Sequence, residues 1–258
     1  MIGRIFVLSG NVFREVVRER ILYIIGFYGL IVAASMRLLP EFAASTEYKM
    51  LPDFAFTFMS GLGLIAAIFI GTGLVNKEVE KRTILMLIAK PVTRSEFITG
   101  KFLGLSAVLS VLVIAMTAIM LVCLQIAKVS YSIQAITIAL VFLLLQLWLI
   151  AALAVTLGVF TSSLLATALT FGIYLMGTIT QDLLKLGNLS RNPFVERVTQ
   201  AIYLIMPDLS RLDLKNEAVY GLQALPNSIT LVGNVSYGIF YIVMLLGLAI
   251  LIFSKREF

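Results

Sequence analysis

The residues best suited to recognising a partner lie in one charged stretch near residue 80. It reads Asn76-Lys77-Glu78-Val79-Glu80-Lys81-Arg82-Thr83, and a second charged group follows as Lys90-Pro91-Val92-Thr93-Arg94-Ser95-Glu96. Closely spaced charges of both signs can orient a docked protein, but they do not make a catalytic constellation. The chemistry that this stretch predicts is therefore recognition rather than bond making.

Nothing elsewhere in the sequence supplies a catalytic or metal site. The chain contains no histidine, which removes the commonest general base and metal ligand. Its single cysteine, Cys123, sits in an apolar run and is expected to be a buried hydrophobic residue. We predict no catalytic residue, no metal ligand and no cofactor-binding residue, and expect the chain not to be an enzyme.

The composition indicates an integral membrane protein. Apolar residues make up 60% of the 258 positions, charged residues only 13%, and the mean hydropathy is +1.02. A helix needs about 20 apolar residues to cross the hydrocarbon core. Six stretches approach or exceed that length, and the predicted fold is all-α with six transmembrane helices, at Ile21–Met36, Phe54–Val75, Phe102–Ala127, Ile133–Phe160, Leu164–Ile179 and Ile229–Phe253.

The distribution of basic residues predicts that both termini are cytoplasmic. With that orientation the inside segments carry 12 of the 20 Lys and Arg residues: Arg4, Arg14, Arg18, Arg20, Lys77, Lys81, Arg82, Lys90, Arg94, Lys101, Lys255 and Arg256. This is the bias of the positive-inside rule. The net charge of +6 is thus spread between hydrophobic runs, and no nucleic-acid partner is predicted.

The interiors of the predicted spans are almost free of ionisable residues. No Asp, Glu, Lys or Arg lies in the middle of a span, which argues against an ion-driven transporter and an intramembrane enzyme. Gln146 and Asn234 are expected to hydrogen-bond to neighbouring elements. Gly100 and Gly104 form a GxxxG pair, for which packing within the chain and dimerisation are equally good explanations.

Three segments outside the spans have a predicted structure. Residues 1–20 form an amphipathic interfacial helix, with Gly10-Asn11 as a potential break. Residues 76–101 form a cytoplasmic loop in which Ile84–Ala89 makes a short helix before Pro91, and Thr93 with Glu96 fits a capping box. That short helix could pack on the protein itself or enter a partner's groove, and a solvated linker is the alternative.

The third segment is the extracytoplasmic stretch 181–227, the longest between predicted spans. Phe194, Val195, Val198, Ile202, Tyr203 and Ile205 have helical spacing and precede Pro207. We predict interfacial helices here rather than an unstructured tether. The whole chain, 1–258, is interpreted as a single transmembrane domain.

The 76–104 stretch resembles the ABC-2 type permeases, the membrane subunits of many ATP-binding-cassette exporters. The similarity is to a pattern E-x-E-x-x-T-x-x-x-L-L-x-x-P-x-x-R-x-x-x-x-x-G-K-x-x-G between the second and third spans, here running from Glu78 to Gly104. The permeases associated with copper-enzyme maturation and gliding motility resemble it best. The overall plan of six spans, an N-terminal helix and a long external segment is similar as well.

The resemblance implies a role for the loop and a set of partners. In that family the loop carries a coupling helix that docks on an ATPase subunit, which implies an ATPase-coupling interface at Glu78, Glu80, Lys81, Arg82, Thr83, Ile84, Leu87, Lys90, Pro91 and Arg94. The chain has no G-x-x-x-x-G-K-[ST] motif, so ATP and Mg²⁺ are expected in a separate ATPase chain. A second permease copy, identical or related, and a bacterial-type plasma (inner) membrane are also implied.

Two other functions are compatible with the same sequence. The complex could pass mechanical work to an extracytoplasmic partner at 181–227 instead of moving a substrate. Alternatively the chain could be a membrane scaffold or assembly factor without an ATPase. Charge reversal at Glu78 and Glu80 distinguishes the scaffold from the functions that depend on an ATPase, because the scaffold would keep its function.

Overall fold

The computed structural model describes residues 2–42, 47–80, 93–190 and 192–255, which form helices joined by short connections. No strand occurs within these ranges, and the predicted all-α membrane fold is confirmed. The α-helices are α1 (Ile2–Val16), α2 (Leu22–Phe42), α3 (Glu47–Glu80), α4 (Arg94–Ile126), α5 (Ile133–Phe160), α6 (Ser163–Leu189), α7 (Pro193–Ile205), α8 (Lys215–Tyr220) and α9 (Ser228–Lys255).

The helices reproduce the predicted spans. Each of the six stretches lies inside one helix or extends beyond its end by a single residue, and several of the helices are longer than the predicted span. Among the described residues, α3, α4, α5, α6 and α9 are long and apolar enough to cross a membrane. The apolar part of α2, Leu22–Leu38, is shorter. The structure therefore supports a multi-pass protein, and the count of six crossings with both termini inside stays a prediction.

Helix α5 is the centre of the bundle. About 72% of its most apolar 18-residue stretch is buried, compared with 22% of the corresponding stretches of α6 and α9. Helix α5 packs against α3, α4, α6 and α9. Small residues allow the close approach. A Cβ placed on Gly71 of α3 would lie 2.8 Å from the Cβ of Ala154, and one on Gly158 would lie 3.2 Å from the Thr72 carbonyl oxygen.

Helix α1 packs along the start of α4 through the predicted GxxxG pair. A Cβ on Gly100 would lie 2.9 Å from Leu8 Cβ, and one on Gly104 would lie 2.7 Å from Val12 Cβ. The pair is therefore used for packing within the chain. The expected break at Gly10-Asn11 is wrong, because α1 is continuous to Val16. The irregularity comes later, as a π-helical turn at Val17–Ile21 that joins α1 to α2.

The segment between the last two long helices is structured, as predicted. Asn192 caps α7 by accepting a hydrogen bond from the Phe194 N–H, and the helix ends at Ile205, shortly before Pro207. Helix α6 continues ten residues beyond the predicted span end at Ile179, to Leu189. Residues 181–189 therefore belong to a helix rather than to a connection.

A polar cluster around Asp208 ties this segment to α6 and α9. The Asp208 side chain is almost fully buried and accepts hydrogen bonds from Gln181 Nε2 at 3.0 Å and Arg211 Nε at 2.9 Å. Its backbone N–H donates to the Tyr237 hydroxyl at 2.8 Å. Asn234 donates to the Arg211 carbonyl oxygen at 3.0 Å, which confirms its predicted bond to a neighbouring element.

The hydrogen bonds determine the protonation of Asp208. Burial alone would raise the pKa of its carboxyl, but the hydrogen bonds from Ser210, Gln181 and Arg211 hold that pKa below its ordinary value. The carboxylate therefore stays ionised and keeps Arg211 in place. The cluster is a closed set of charge-assisted contacts in which the buried charge is paired.

The α1–α4 contact predicts the effect of added bulk. Gly104→Ala should destabilise the fold by about 1–3 kcal/mol, because its Cβ meets Val12 and the Ser9 carbonyl oxygen at 2.9 Å. Gly247→Ala is the matched control, since nothing lies within 4 Å of its Cβ and alanine favours helix. Thermal unfolding of detergent-purified protein measures both. Equal midpoints for the two variants would contradict the close packing.

The Asp208 cluster predicts a pH dependence of stability. A carboxyl with a lowered folded pKa contributes fully above its unfolded pKa of about 3.9 and loses that contribution as the pH falls through the folded pKa. Wild-type thermal midpoints should therefore fall more steeply below pH ~4 than those of Asp208→Asn. The control is Asp182→Asn, whose side chain is exposed. Parallel curves for wild type and Asp208→Asn would contradict the assignment.

Candidate functional site

The predicted coupling residues fall around the connection between α3 and α4. The helical backbone of Glu78 and Glu80 lies in the last turn of α3, and Arg94 is the first residue of α4. The other predicted residues, and the predicted helix Ile84–Ala89, lie outside the described ranges: Lys81, Arg82, Thr83, Ile84, Leu87, Lys90 and Pro91. The site is therefore characterised by the two helix ends that flank the loop.

The first flank, the end of α3, is held by α5 and α6. Thr72 Oγ1 lies 3.0 Å from Thr167 Oγ1 of α6 and donates to, or accepts from, that hydroxyl. Asn76 is buried, and its Nδ2 donates to the Thr72 carbonyl oxygen at 3.1 Å. Gly158 of α5 lies directly against the same turn. The last buried turn of α3 is thus fixed before the charged stretch begins.

The second flank, the start of α4, is closed by the predicted capping box. The Thr93 backbone N–H donates to Glu96 Oε2 at 2.9 Å, and the Glu96 N–H donates to Thr93 Oγ1 at 3.3 Å. These two bonds satisfy backbone donors that a helix start leaves unpaired. The sequence prediction is confirmed at both residues. The helix therefore begins at a defined point, with Glu96 nearly fully buried.

The same flank is clamped to the far end of the chain. Arg94 Nη1 donates to the Phe253 carbonyl oxygen at 2.8 Å and to the Ser254 carbonyl oxygen, both in the last turn of α9. Free carbonyls and the negative end of the helix dipole make this turn a favourable place for a cation. The Phe97 and Phe253 rings stack beside it, with centroids 5.5 Å apart. We name Arg94, Phe97, Phe253 and Ser254 the α4–α9 clamp.

Sequence reasoning missed this clamp. Its assignment of Arg94 to an interface with an ATPase subunit stays a prediction, and in the structure the guanidinium donates to the chain's own last helix. The partners are 159 residues apart, so no local pattern links them. The only local signal is the position of an arginine directly after the helix cap.

Both flanks of the loop are held by contacts with other helices of the bundle. In the part of the chain that the structure describes, no group of His, Cys, Asp or Glu side chains could hold a metal ion. Cys123, as expected, is buried in the core. The end of α3 contacts α5 and α6, and the start of α4 contacts α9 and α1.

Comparison with known proteins agrees with this geometry. No curated protein matches the chain. The family model described as ABC-2 family transporter protein matches residues 13–258, which includes the loop, both of its flanks and every long helix. The chain therefore belongs to the ABC-2 transporter family, and it is a multi-pass membrane permease component of an ABC transporter.

Proposed function

We propose that this chain couples ATP hydrolysis in a separate ATPase subunit to export of a substrate, with residues 76–101 as the docking loop. The observation that supports this most is the anchoring of both loop flanks on different long helices. Docking at the loop can displace the ends of α3 and α4 together, and those ends contact four other helices of the bundle.

The charges at the loop suit the docking of a protein. Glu78 and Glu80 lie two residues apart at the end of α3, and basic residues flank them in the sequence: Lys77, Lys81 and Arg82. Such mixed charge fixes orientation and suppresses wrong partners more than it adds affinity. We assign the ATPase contact to this stretch and to Ile84, Leu87, Lys90 and Pro91.

The remaining parts of the proposal follow from the family. ABC transporters contain two membrane halves, so the functional unit is a pair of permease chains, identical or related, with two ATPase chains. The loop end faces the cytoplasm, and the membrane is a bacterial-type plasma membrane. Similarity to the copper-enzyme-maturation and gliding-motility branch and an extracytoplasmic partner at 181–227 are further hypotheses.

Charge reversal in the loop tests the docking. We expect a P-loop ATPase to co-purify in stoichiometric amount with the tagged wild-type chain in mild detergent. The double variant Glu78→Lys and Glu80→Lys should recover at least about tenfold less of the ATPase, since like charges brought together at an interface cost several kcal/mol. The matched control is Asp182→Lys, a charge reversal at an exposed residue at the other end of the bundle.

Two outcomes would overturn this proposal. One is recovery of no ATPase with the wild-type chain, even after cross-linking in intact membranes, and this would favour the scaffold. The other is equal recovery with wild type and with the double variant, since the docking surface would then lie elsewhere.

Substitution of Arg94 tests whether this residue acts in the α4–α9 clamp or at the docking surface. Arg94→Gln should lower the free energy of unfolding by about 0.3–1 kcal/mol, because an exposed charged donor to the end of α9 is lost. ATPase recovery should stay within about twofold of wild type, a difference of less than 0.5 kcal/mol in affinity. Arg94→Lys keeps the charge but not the planar guanidinium, and its stability should lie between those of wild type and Arg94→Gln. Loss of the ATPase without loss of stability would return Arg94 to the docking surface.

A further inference from the structure

A cavity of about 400 Å³ opens at the end of the bundle opposite the loop. It lies between the first turns of α3 and the short helix α8, and its lining residues are Lys49, Met50, Asp53, Asn216, Val219 and Tyr220. This volume is within the range of small-ligand sites. Helix α8 ends directly beside it because Gly221 adopts a φ of +94°, which turns the chain away after Tyr220.

The cavity presents two opposite charges from one face of α3. Lys49 and Asp53 are four residues apart, so their Cβ atoms lie about 5–6 Å from each other on the helix. The Lys49 ammonium lies 4.6 Å from the centroid of the Tyr220 ring, a contact that keeps the cation at the cavity. The amide of Asn216 adds both a donor and an acceptor.

The position along α3 is that of a membrane surface. The apolar run of this helix starts at Phe54, one residue beyond Asp53, and the Phe54 and Phe58 rings contact each other with centroids 4.6 Å apart. Tyr220 and Met50 are exposed at the same level. Lysine and tyrosine are typical of the headgroup layer, where an apolar body meets lipid and a polar tip meets water.

We propose that this cavity binds the headgroup of a zwitterionic phospholipid that carries a primary amine. Lys49 pairs with the phosphate, Asp53 accepts hydrogen bonds from the ammonium, and Met50 contacts the glycerol and upper acyl region. A trimethylated amine offers no N–H to Asp53, and an anionic headgroup without an amine would place negative charge against that carboxylate. The site therefore selects phosphatidylethanolamine over phosphatidylcholine and phosphatidylglycerol. It is independent of any ATPase.

Native mass spectrometry of the full-length chain measures this selectivity. The protein is purified in detergent, equilibrated with equimolar phosphatidylethanolamine, phosphatidylcholine and phosphatidylglycerol, and the retained lipids are counted. We expect preferential retention of phosphatidylethanolamine by wild type. Lys49→Gln with Asp53→Asn should weaken it about tenfold, since hydrogen bonds to charged groups are lost. The control, Lys185→Gln with Asp182→Asn, removes an exposed Lys–Asp ion pair and should behave as wild type.

A single variant guards against misfolding as the cause. Asp53→Asn should raise the amount of phosphatidylglycerol retained above the wild-type amount, because the opposing carboxylate is gone, whereas loss of structure would lower retention of every lipid. Equal retention of the three lipids by wild type, or no rise in phosphatidylglycerol retention in Asp53→Asn, would overturn the proposal. Binding of free phosphoethanolamine as tight as that of the lipid would overturn the assignment to a membrane lipid.

Discussion

The structure depends on the close approach of helices at small residues. Inside a bilayer there is no water to drive apolar helices together, so their association rests on packing and on hydrogen bonds between them. Gly71 against Ala154 and Gly158 against Thr72 bring α3 onto α5, and Gly104 brings α1 onto α4. A side chain at any of these positions would separate two helices whose relative position sets the rest of the bundle.

Under the proposed docking, the same contacts determine which helices the loop at 76–101 can move. Because α3 is packed against α5 almost to its end, a displacement of the loop cannot be absorbed by bending there. The start of α4 is equally constrained by its capping box and by the α4–α9 clamp. Packed interiors shift between discrete arrangements and deform little, so anchors at both flanks favour movement of whole helices.

Local features of the fold could be predicted from the sequence because their causes are local. The spans follow from runs of apolar residues, and the start of α4 follows from Thr93 and Glu96, whose bonds join residues three apart. The extension of α6 to Leu189 was missed because polar residues end the apolar run, although they do not end the helix. Gln181 instead bonds to Asp208, and Gly187 receives Thr199 of α7.

The polar contacts of α9 join residues far apart in the sequence, and of these the sequence predicted only that Asn234 would bond to a neighbouring element. Only 22% of the most apolar stretch of α9 is buried, because a single face of the helix packs on the bundle. Arg94 donates a hydrogen bond to the last turn of α9. Nearer the start of the helix, Asn234 donates to the Arg211 carbonyl oxygen, and the Arg211 guanidinium lies 5.1 Å from the Tyr237 ring centroid. Between these points Thr156 of α5 donates to the Leu245 carbonyl oxygen at 3.1 Å. A helix of this length spans about 42 Å. Helix α9 therefore joins the start of α4 to the Asp208 cluster at the other end of the bundle, through polar contacts near both of its ends and through one packed face between them: Gly238, Ile242, Leu245, Ala249 and Phe253.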